Sequence, residues 1–316
     1  MSAATLLLAW ALDVAVGDPR WLPHPVRGMG WVISWAETVI RRAACSRWGE
    51  RIGGLLLAVC LPLLTYGVAV AVTTVGFLVS PIAGRIVEIV LAFTTLASRD
   101  LADHAADVAS ALRDGSLEQA RTAVGRVVGR DADTLDERDV ARASVETIAE
   151  STADGIVAPL FYLALGGAPL ALAYKAVSTL DSMVGHHEPP YRDLGWASAR
   201  LDDLLNWIPA RLSALCLIIA AGAIGPRGAA IRAWRIYRRD RNRHPSPNSG
   251  HPEAAMAGAL GVQLGGRNYY GGIAVDRPII GEPHRPLDAE RIGEAVRLMW
   301  MASGLAALLA IGCLWL

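Results

Sequence analysis

GLLLAVCLPLLTYGVAVAVTTVGFLV, residues 54–79, carries no charged side chain, and it exceeds the ~20 residues a helix needs to cross a hydrocarbon core. Backbone in lipid must satisfy its own hydrogen bonds, so an uncharged run of this length reads as a transmembrane helix. Similar runs follow. Residues 155–174 (GIVAPLFYLALGGAPLALAY) are uncharged, and 212–225 continue a helix from Trp207 and Pro209 with Arg211 near one edge. Residues 298–316 (LMWMASGLAALLAIGCLWL) have Trp300 and Trp315 near their two ends, as an aromatic belt would place them. Two segments are ambiguous. Residues 3–16 are apolar but short and carry Asp13, while 82–97 carry Arg85 and Glu88 behind a hairpin-forming Pro81. No basic residue precedes the first apolar run, so it is not read as a signal peptide.

Composition agrees. Of 316 residues, 53% are hydrophobic and 19% charged, against roughly 25% charged in average soluble domains; the mean hydropathy is +0.34. The expected fold is all-α: a polytopic integral membrane protein with about five transmembrane helices and a helical cytoplasmic portion. It is read as one membrane domain over 1–316, with apolar segments near 3–16, 54–79, 82–97, 155–180, 207–225 and 298–316. A soluble helical insert is expected at 98–154 and a polar loop at 226–297. Arginines gather at 20–51, 99–142 and 227–243, which the positive-inside rule places in the cytoplasm. Gly166, Gly167 and Pro169 mark 155–180 as two half-helices, re-entering from one side. Cys45, Cys60, Cys216 and Cys313 show no metal spacing. The arginine-rich loops lack an accompanying stacking surface, which excludes nucleic acid as a partner.

Residues 248–266, NSGHPEAAMAGALGVQLGG, read as a helix with a capped entrance. Ser249 or Gly250 can cap it, Pro252 needs no N–H there, and Glu253 complements the positive end of the dipole. Gly265 and Gly266 are expected to close it. Beside the cationic cluster Arg238, Arg239, Arg241, Arg243 and His244, such an entrance suits a phosphate or carboxylate. Its small residues equally suit close helix packing.

The segment 98–154 offers two capping-box spacings, Ser116 with Gln119 and Thr134 with Glu137. In the second helix, Glu146, Glu150 and Asp154 are spaced four apart and form one carboxylate stripe. Like charges so placed repel, and either a divalent cation or Arg138 or Arg142 can compensate. In DVAVGDPRWLPHPVRGMGWVI, prolines fix an ordered loop holding Asp18 and His24. His24 is a candidate ligand or acid–base group, or equally a structural histidine fixed by the prolines. A third cluster, GHHEPPYRDLGWASARLDDLLNWIPARL, includes His186, His187, Glu188, Asp202 and Asp203 as polar candidates. Its Arg192 and Arg200 can clamp phosphate bidentately. Lys175, the sole lysine, lies near the end of an apolar run and is a candidate anion contact. No GxxxxGK[ST] loop, GxGxxG turn or HExxH helix occurs.

The segment opening at Asn248, together with GDPRWLPHPVR, SRDL, ESTADGIVAPLFY, YRDLGWASARLDDLLNWIPARL and NYYGG, resembles the cobalamin biosynthesis protein family CobD/CbiB. The motifs run in order over nearly the whole chain. The resemblance implies an adenosylcobinamide-phosphate synthase of the cell membrane. Such an enzyme joins the carboxylate of adenosylcobyric acid to (R)-1-aminopropan-2-ol or its O-phosphate, at the expense of ATP. Corrinoid, aminopropanol, the lipid bilayer and other late-pathway membrane enzymes are the implied partners. An activated carboxylate and a neutral amine call for Mg²⁺, phosphate clamps and a base. Glu146, Glu150, Asp154, Asp202 and Asp203 are the expected Mg²⁺ ligands. His24, Glu150 and Asp154 are the expected catalytic groups. Arg27, Lys175, Arg192, Arg200, Arg243, Asn248, Ser249 and Gly250 are expected to hold phosphate or substrate. Trp196, Trp207, Tyr269 and Tyr270 suit the walls of a corrin cleft.

Two rivals are weaker. NSGH at 248–251 and SRDLADHAAD at 98–107 are similar to parts of the phosphatidic-acid type of membrane phosphatase. However, His104 and Asp107 fall at the wrong offsets and the motifs stand in the wrong order. A non-catalytic corrinoid-binding or transport protein would use the broken segment at 155–180.

Overall fold

The computed structural model holds the uncharged run 54–79 within one helix, Arg47–Val79, which continues through Pro62. It describes residues 1–19, 24–44, 46–186 and 190–315. Cys45, His187, Glu188 and the RWLP part of the proline-rich motif lie outside the described residues. In chain order the elements begin with α1 (Ala3–Val16), α2 (Pro25–Ala43), α3 (Arg47–Val79) and α4 (Pro81–Phe93). Then come α5 (Ser98–Arg113), α6 (Leu117–Gly125), α7 (Glu137–Ser151), a π-helical turn (Thr152–Val157) and α8 (Ala158–Val184). They continue as α9 (Trp196–Leu205), α10 (Trp207–Ile224), α11 (Ala229–Asp240) and α12 (Gly250–Leu260). A hairpin, β1 (Gln263–Tyr270) and β2 (Ile273–Gly281), precedes α13 (Ala289–Cys313).

Five helical stretches are long and apolar enough to cross a membrane: Arg47–Val79, Pro81–Arg113, Glu137–Val184, Trp207–Ile224 and Ala289–Cys313. Ala3–Val16 is apolar but shorter. The protein is therefore the expected all-α polytopic membrane protein. The chain forms two compact units, one from 1–97, 158–206 and 309–316, the other from 98–157 and 207–308.

In the first unit, α3 packs on α4, α8 and α9. The core joins Ile33 of α2, Leu57 and Leu61 of α3, Leu172 and Leu180 of α8, and Leu194. The opposite side of α3 leaves Leu56, Leu63, Leu64, Val75 and Leu78 exposed; a row of this kind on a membrane helix faces lipid. A Cβ on Gly54 would sit 2.0 Å from the Leu194 carbonyl oxygen, so only glycine lets α3 meet that turn. Ser80 stops α3 and caps α4, its Oγ accepting from the Ala83 N–H at 3.0 Å. The expected break in α8 is present: Gly166 and Gly167 have non-helical backbone, Gly167 at φ 69°, a conformation glycine adopts freely.

The second unit is built around α12, every residue of which is buried. Helices α10, α11 and α7 and the hairpin pack around it. Its small residues do the packing: a Cβ on Gly258 would lie 2.6 Å from the Ala233 Cα of α11. Three sequence expectations are corrected here. The helix ends at Gly261 (φ 70°), not at Gly265 and Gly266, which lie in β1. The N-cap of α7 is Asp136, whose carboxylate accepts from the Asp139 N–H at 2.7 Å, not Thr134. Residues 226–297 are not a loop, because they hold α11, α12, the hairpin and the start of α13. The hairpin turns at Gly271 and Gly272, with Tyr270 opposite Ile273 and φ of 56° and 78°. That is the two-residue turn that needs positive φ at both positions.

Candidate functional site

All contacts of the candidate site fall within the second unit. Glu150 of α7, Glu253 of α12 and His244 of the loop before α12 offer ligand atoms within 4.8 Å of one another. Helix α7 presents its polar face here, and the first turn of α12 delivers Glu253 beneath it. His244 Nε2 lies 3.7 Å from Glu253 Oε1 and 3.4 Å from Arg277 Nη1. The Ser246 N–H donates to His244 Nδ1 at 3.0 Å. A neutral imidazole so engaged carries its proton on Nε2, so His244 supplies a donor, and the two carboxylates are left as ion ligands. Arg277 reaches back to the Tyr270 hydroxyl, 3.2 Å away.

One turn earlier, Glu146 secures the hairpin. Its Oε1 accepts from the Gly265 N–H at 2.8 Å, Arg130 donates to its Oε2, and Arg142 stands 3.6 Å away. Arg142 also donates to the carbonyls of Gly265 (2.6 Å) and Arg267 (3.0 Å). Arg130 donates to Asn268 Oδ1 at 2.7 Å. Burial works against the Arg130 charge, but Glu146 outweighs it and holds the guanidinium above its ordinary value. Both Glu146 oxygens are thus engaged by protein.

Burial pushes the Glu253 carboxyl well above its ordinary range. The charges of Glu150 and Glu146 and a hydrogen bond with Glu150 push the same way, against Arg277. Burial also lowers His244; Glu150 opposes that shift and Arg277 adds to it. Two facing carboxyl groups in a buried place cannot both be bare anions. A shared proton or a divalent cation satisfies them. The cluster's span is only a little wider than the roughly 4.2 Å between opposite oxygens around a small octahedral cation.

The sequence candidates divide between the two units. Asp154 lies beyond α7, in the π-helical turn Thr152–Val157. Arg243 pairs with Asp240 at 3.2 Å and donates to the Ile279 carbonyl. The N–H groups of Asn248 and Ser249 both donate to Ser246 Oγ at 3.2 Å. Gly250 is pressed against the Arg241 carbonyl, 2.3 Å from where a Cβ would be.

In the first unit, His24 caps α2, Nδ1 accepting from the Val26 N–H, with Nε2 3.1 Å from Asp18. Arg27 lies in α2 and Lys175 in α8. Arg192 and Arg200 are exposed. Asp202 accepts from Asn206 at 2.9 Å, and Asn206 Oδ1 accepts from the Tyr174 hydroxyl at 2.8 Å. Asp203 follows on α9. Sequence reading did not assign Glu253, His244, Arg277, Arg130 or Ser246 to this site. Glu253 had an ordinary role as a dipole partner and His244 one in the cationic cluster, while Arg130 and Arg277 come from a loop and a strand distant in sequence.

The family model described as CobD/Cbib protein matches residues 6–299. The chain is 50% identical over 309 residues to the cobalamin biosynthesis protein CobD of Geobacter metallireducens, covering 98% of this chain and 96% of that protein. It is 48% identical over 311 residues to the cobalamin biosynthesis protein CbiB of Salmonella typhi, covering 98% and 97%. It is likewise 48% identical over 312 residues to the CobD protein of Klebsiella pneumoniae, covering 99% and 97%. No solved structure matches the chain. With the match spanning both compact units, the chain belongs to the CobD/CbiB family of cobalamin biosynthesis proteins.

Proposed function

We propose that this protein makes the amide bond between a carboxylate of adenosylcobyric acid and (R)-1-aminopropan-2-ol or its O-phosphate, consuming ATP with Mg²⁺. It would sit in the cytoplasmic membrane with its active site facing the cytoplasm, beside other membrane enzymes of the late pathway. The observation that carries the reading is the Glu150–Glu253–His244 cluster with Arg277 alongside, in a membrane protein of this family. Its donor set fits the group the reaction needs: Glu150 and Glu253 would hold Mg²⁺, which prefers carboxylate oxygens. When bound, that ion would neutralise phosphoryl charge. Arg277 is placed to steady an anionic acyl phosphate or the leaving phosphate. A carboxylate oxygen of Glu150 or Glu253 that is not bound to the ion can take the proton the ammonium must lose before it attacks.

The test is direct. Purified protein in detergent, given adenosylcobyric acid, aminopropanol phosphate, ATP and Mg²⁺, should release the amide product, detected by mass, with ATP consumed in step. Absence of both product and ATP turnover sinks the reading. Phosphate released from the amine alone would turn it toward a phosphatase. Glu150→Gln should lower turnover by about 10²–10⁴, the range of a lost acid–base or ion-holding group, while the melting temperature stays close to wild type.

A further inference from the structure

His251 and Glu253 stand two residues apart on α12, so their side chains leave the helix about 200° apart. Glu253 meets the carboxylate cluster, whereas His251 meets α11. Its Nδ1 lies 3.2 Å from the Tyr237 hydroxyl. Above these two rings opens a cleft of about 480 Å³ lined by Arg211, Trp234, Arg238, Arg241 and Asn242. Among the described residues no carboxylate lies within 4.0 Å of any of these three guanidinium groups, although Arg235, Arg239 and Arg243 nearby in sequence all have one. Arg241 lies 5.2 Å above the Tyr237 ring and donates to the Arg238 carbonyl at 3.0 Å. Arg211 lies 4.2 Å above the Trp207 ring and donates to the Trp207 carbonyl. These contacts fix the Arg211 and Arg241 guanidinium groups in place without neutralising them.

We propose that Arg211, Arg238 and Arg241, over a floor of Tyr237 and His251, form a phosphate-binding pocket separate from the carboxylate cluster. Converging guanidinium groups repel unless an anion sits between them, and their flat forks match phosphoryl oxygens. The His251 ring, held 3.2 Å from the Tyr237 hydroxyl, can serve a phosphate as a donor or acceptor. The ligand's phosphate can belong to a soluble ester or to a phospholipid headgroup. The pocket's rim suits both sources. Arg211 lies one turn into α10, a membrane-crossing helix, and Trp207, Trp234 and Ile231 around it are exposed, as residues at the headgroup level are. This proposal does not rest on the amide-forming reading, because it concerns binding alone.

The test uses full-length protein in detergent. One arm follows thermal unfolding in inorganic phosphate against chloride at equal ionic strength. The other follows retention of phosphatidylglycerol against phosphatidylcholine by native mass spectrometry. Wild type should respond in at least one arm, and Arg238→Gln/Arg241→Gln should weaken that response at least about tenfold. A response to phosphate alone identifies a soluble ester as the ligand, and retention of phosphatidylglycerol alone identifies a headgroup. Equal behaviour of wild type and variant in both arms overturns the pocket. Should the double variant fail to fold, Arg238→Gln alone, at an exposed position, carries the same comparison.

Discussion

The two sides of α12 handle charge in opposite ways. On the Glu253 side, Glu146, Glu150, Arg130, Arg142 and Arg277 are knitted to one another and to the hairpin backbone. On the His251 side, three arginines face a cleft with no carboxylate among them. Polar groups on the first side have lost their water and must find partners in the protein, so removing one orphans the others. The arginines on the second side keep access to solvent, so their charge stays available to a ligand. The same short helix therefore separates a region where charge holds structure together from one where charge is left free to bind.

Glu146→Ala should break this contrast most severely. The Glu146 side chain is 8% exposed and that of Arg130 is 9% exposed, and removing one partner of a buried pair costs about 3–5 kcal/mol. The hairpin should loosen from α7, because the Gly265 N–H loses its acceptor. Thermal unfolding and amide hydrogen exchange over 263–281 would register both effects. Unchanged exchange there would mean that Glu146 is not what ties the hairpin to α7.

Next in size is a pH effect on the other side of the helix. His251 is 2% exposed, and its folded value is lowered to about 4 from 6.5. The unfolded chain therefore binds the proton more readily than the folded protein between those values, and stability falls as pH drops from 6.5 to 4. At 1.36 kcal/mol per unit, the loss is about 3 kcal/mol. His251→Gln should flatten this slope between pH 7 and 5, as read by thermal unfolding. Phosphate in the cleft should flatten it too in wild type, because an anion there favours the imidazolium. A slope that survives His251→Gln would assign the effect to other groups.

Legibility in the sequence followed how local the determining signal is. The α3 span needed only an unbroken apolar run, and the break in α8 only Gly166, Gly167 and Pro169. The hairpin carried its own signal, two glycines between Tyr270 and Ile273. It was obscured because Gly265 and Gly266 also resemble a helix stop. The stripe from Glu146 through Glu150 was visible from spacing, but α-helical spacing cannot anticipate the π-helical turn in which Asp154 lies. Glu253 and His244 could not be assigned from their own neighbourhoods. They become partners of Glu150 only when α12 is buried against α7, roughly a hundred residues away in sequence.

The smallest expected effect is also the most diagnostic of the open side. Arg238→Gln removes an exposed charge with no carboxylate within 4.0 Å among the described residues, and such surface changes shift stability by no more than about 0.5 kcal/mol. Here the sign carries the information. Arg211 and Arg241 repel Arg238 across the cleft, so in chloride the variant should be as stable as wild type or slightly more stable. In phosphate the order should reverse, because the anion stabilises the folded protein in proportion to how tightly it binds. A crossover of the two melting temperatures between chloride and phosphate separates a binding role from a structural one. A structural arginine would lower stability in both salts, as Glu146→Ala does across the helix.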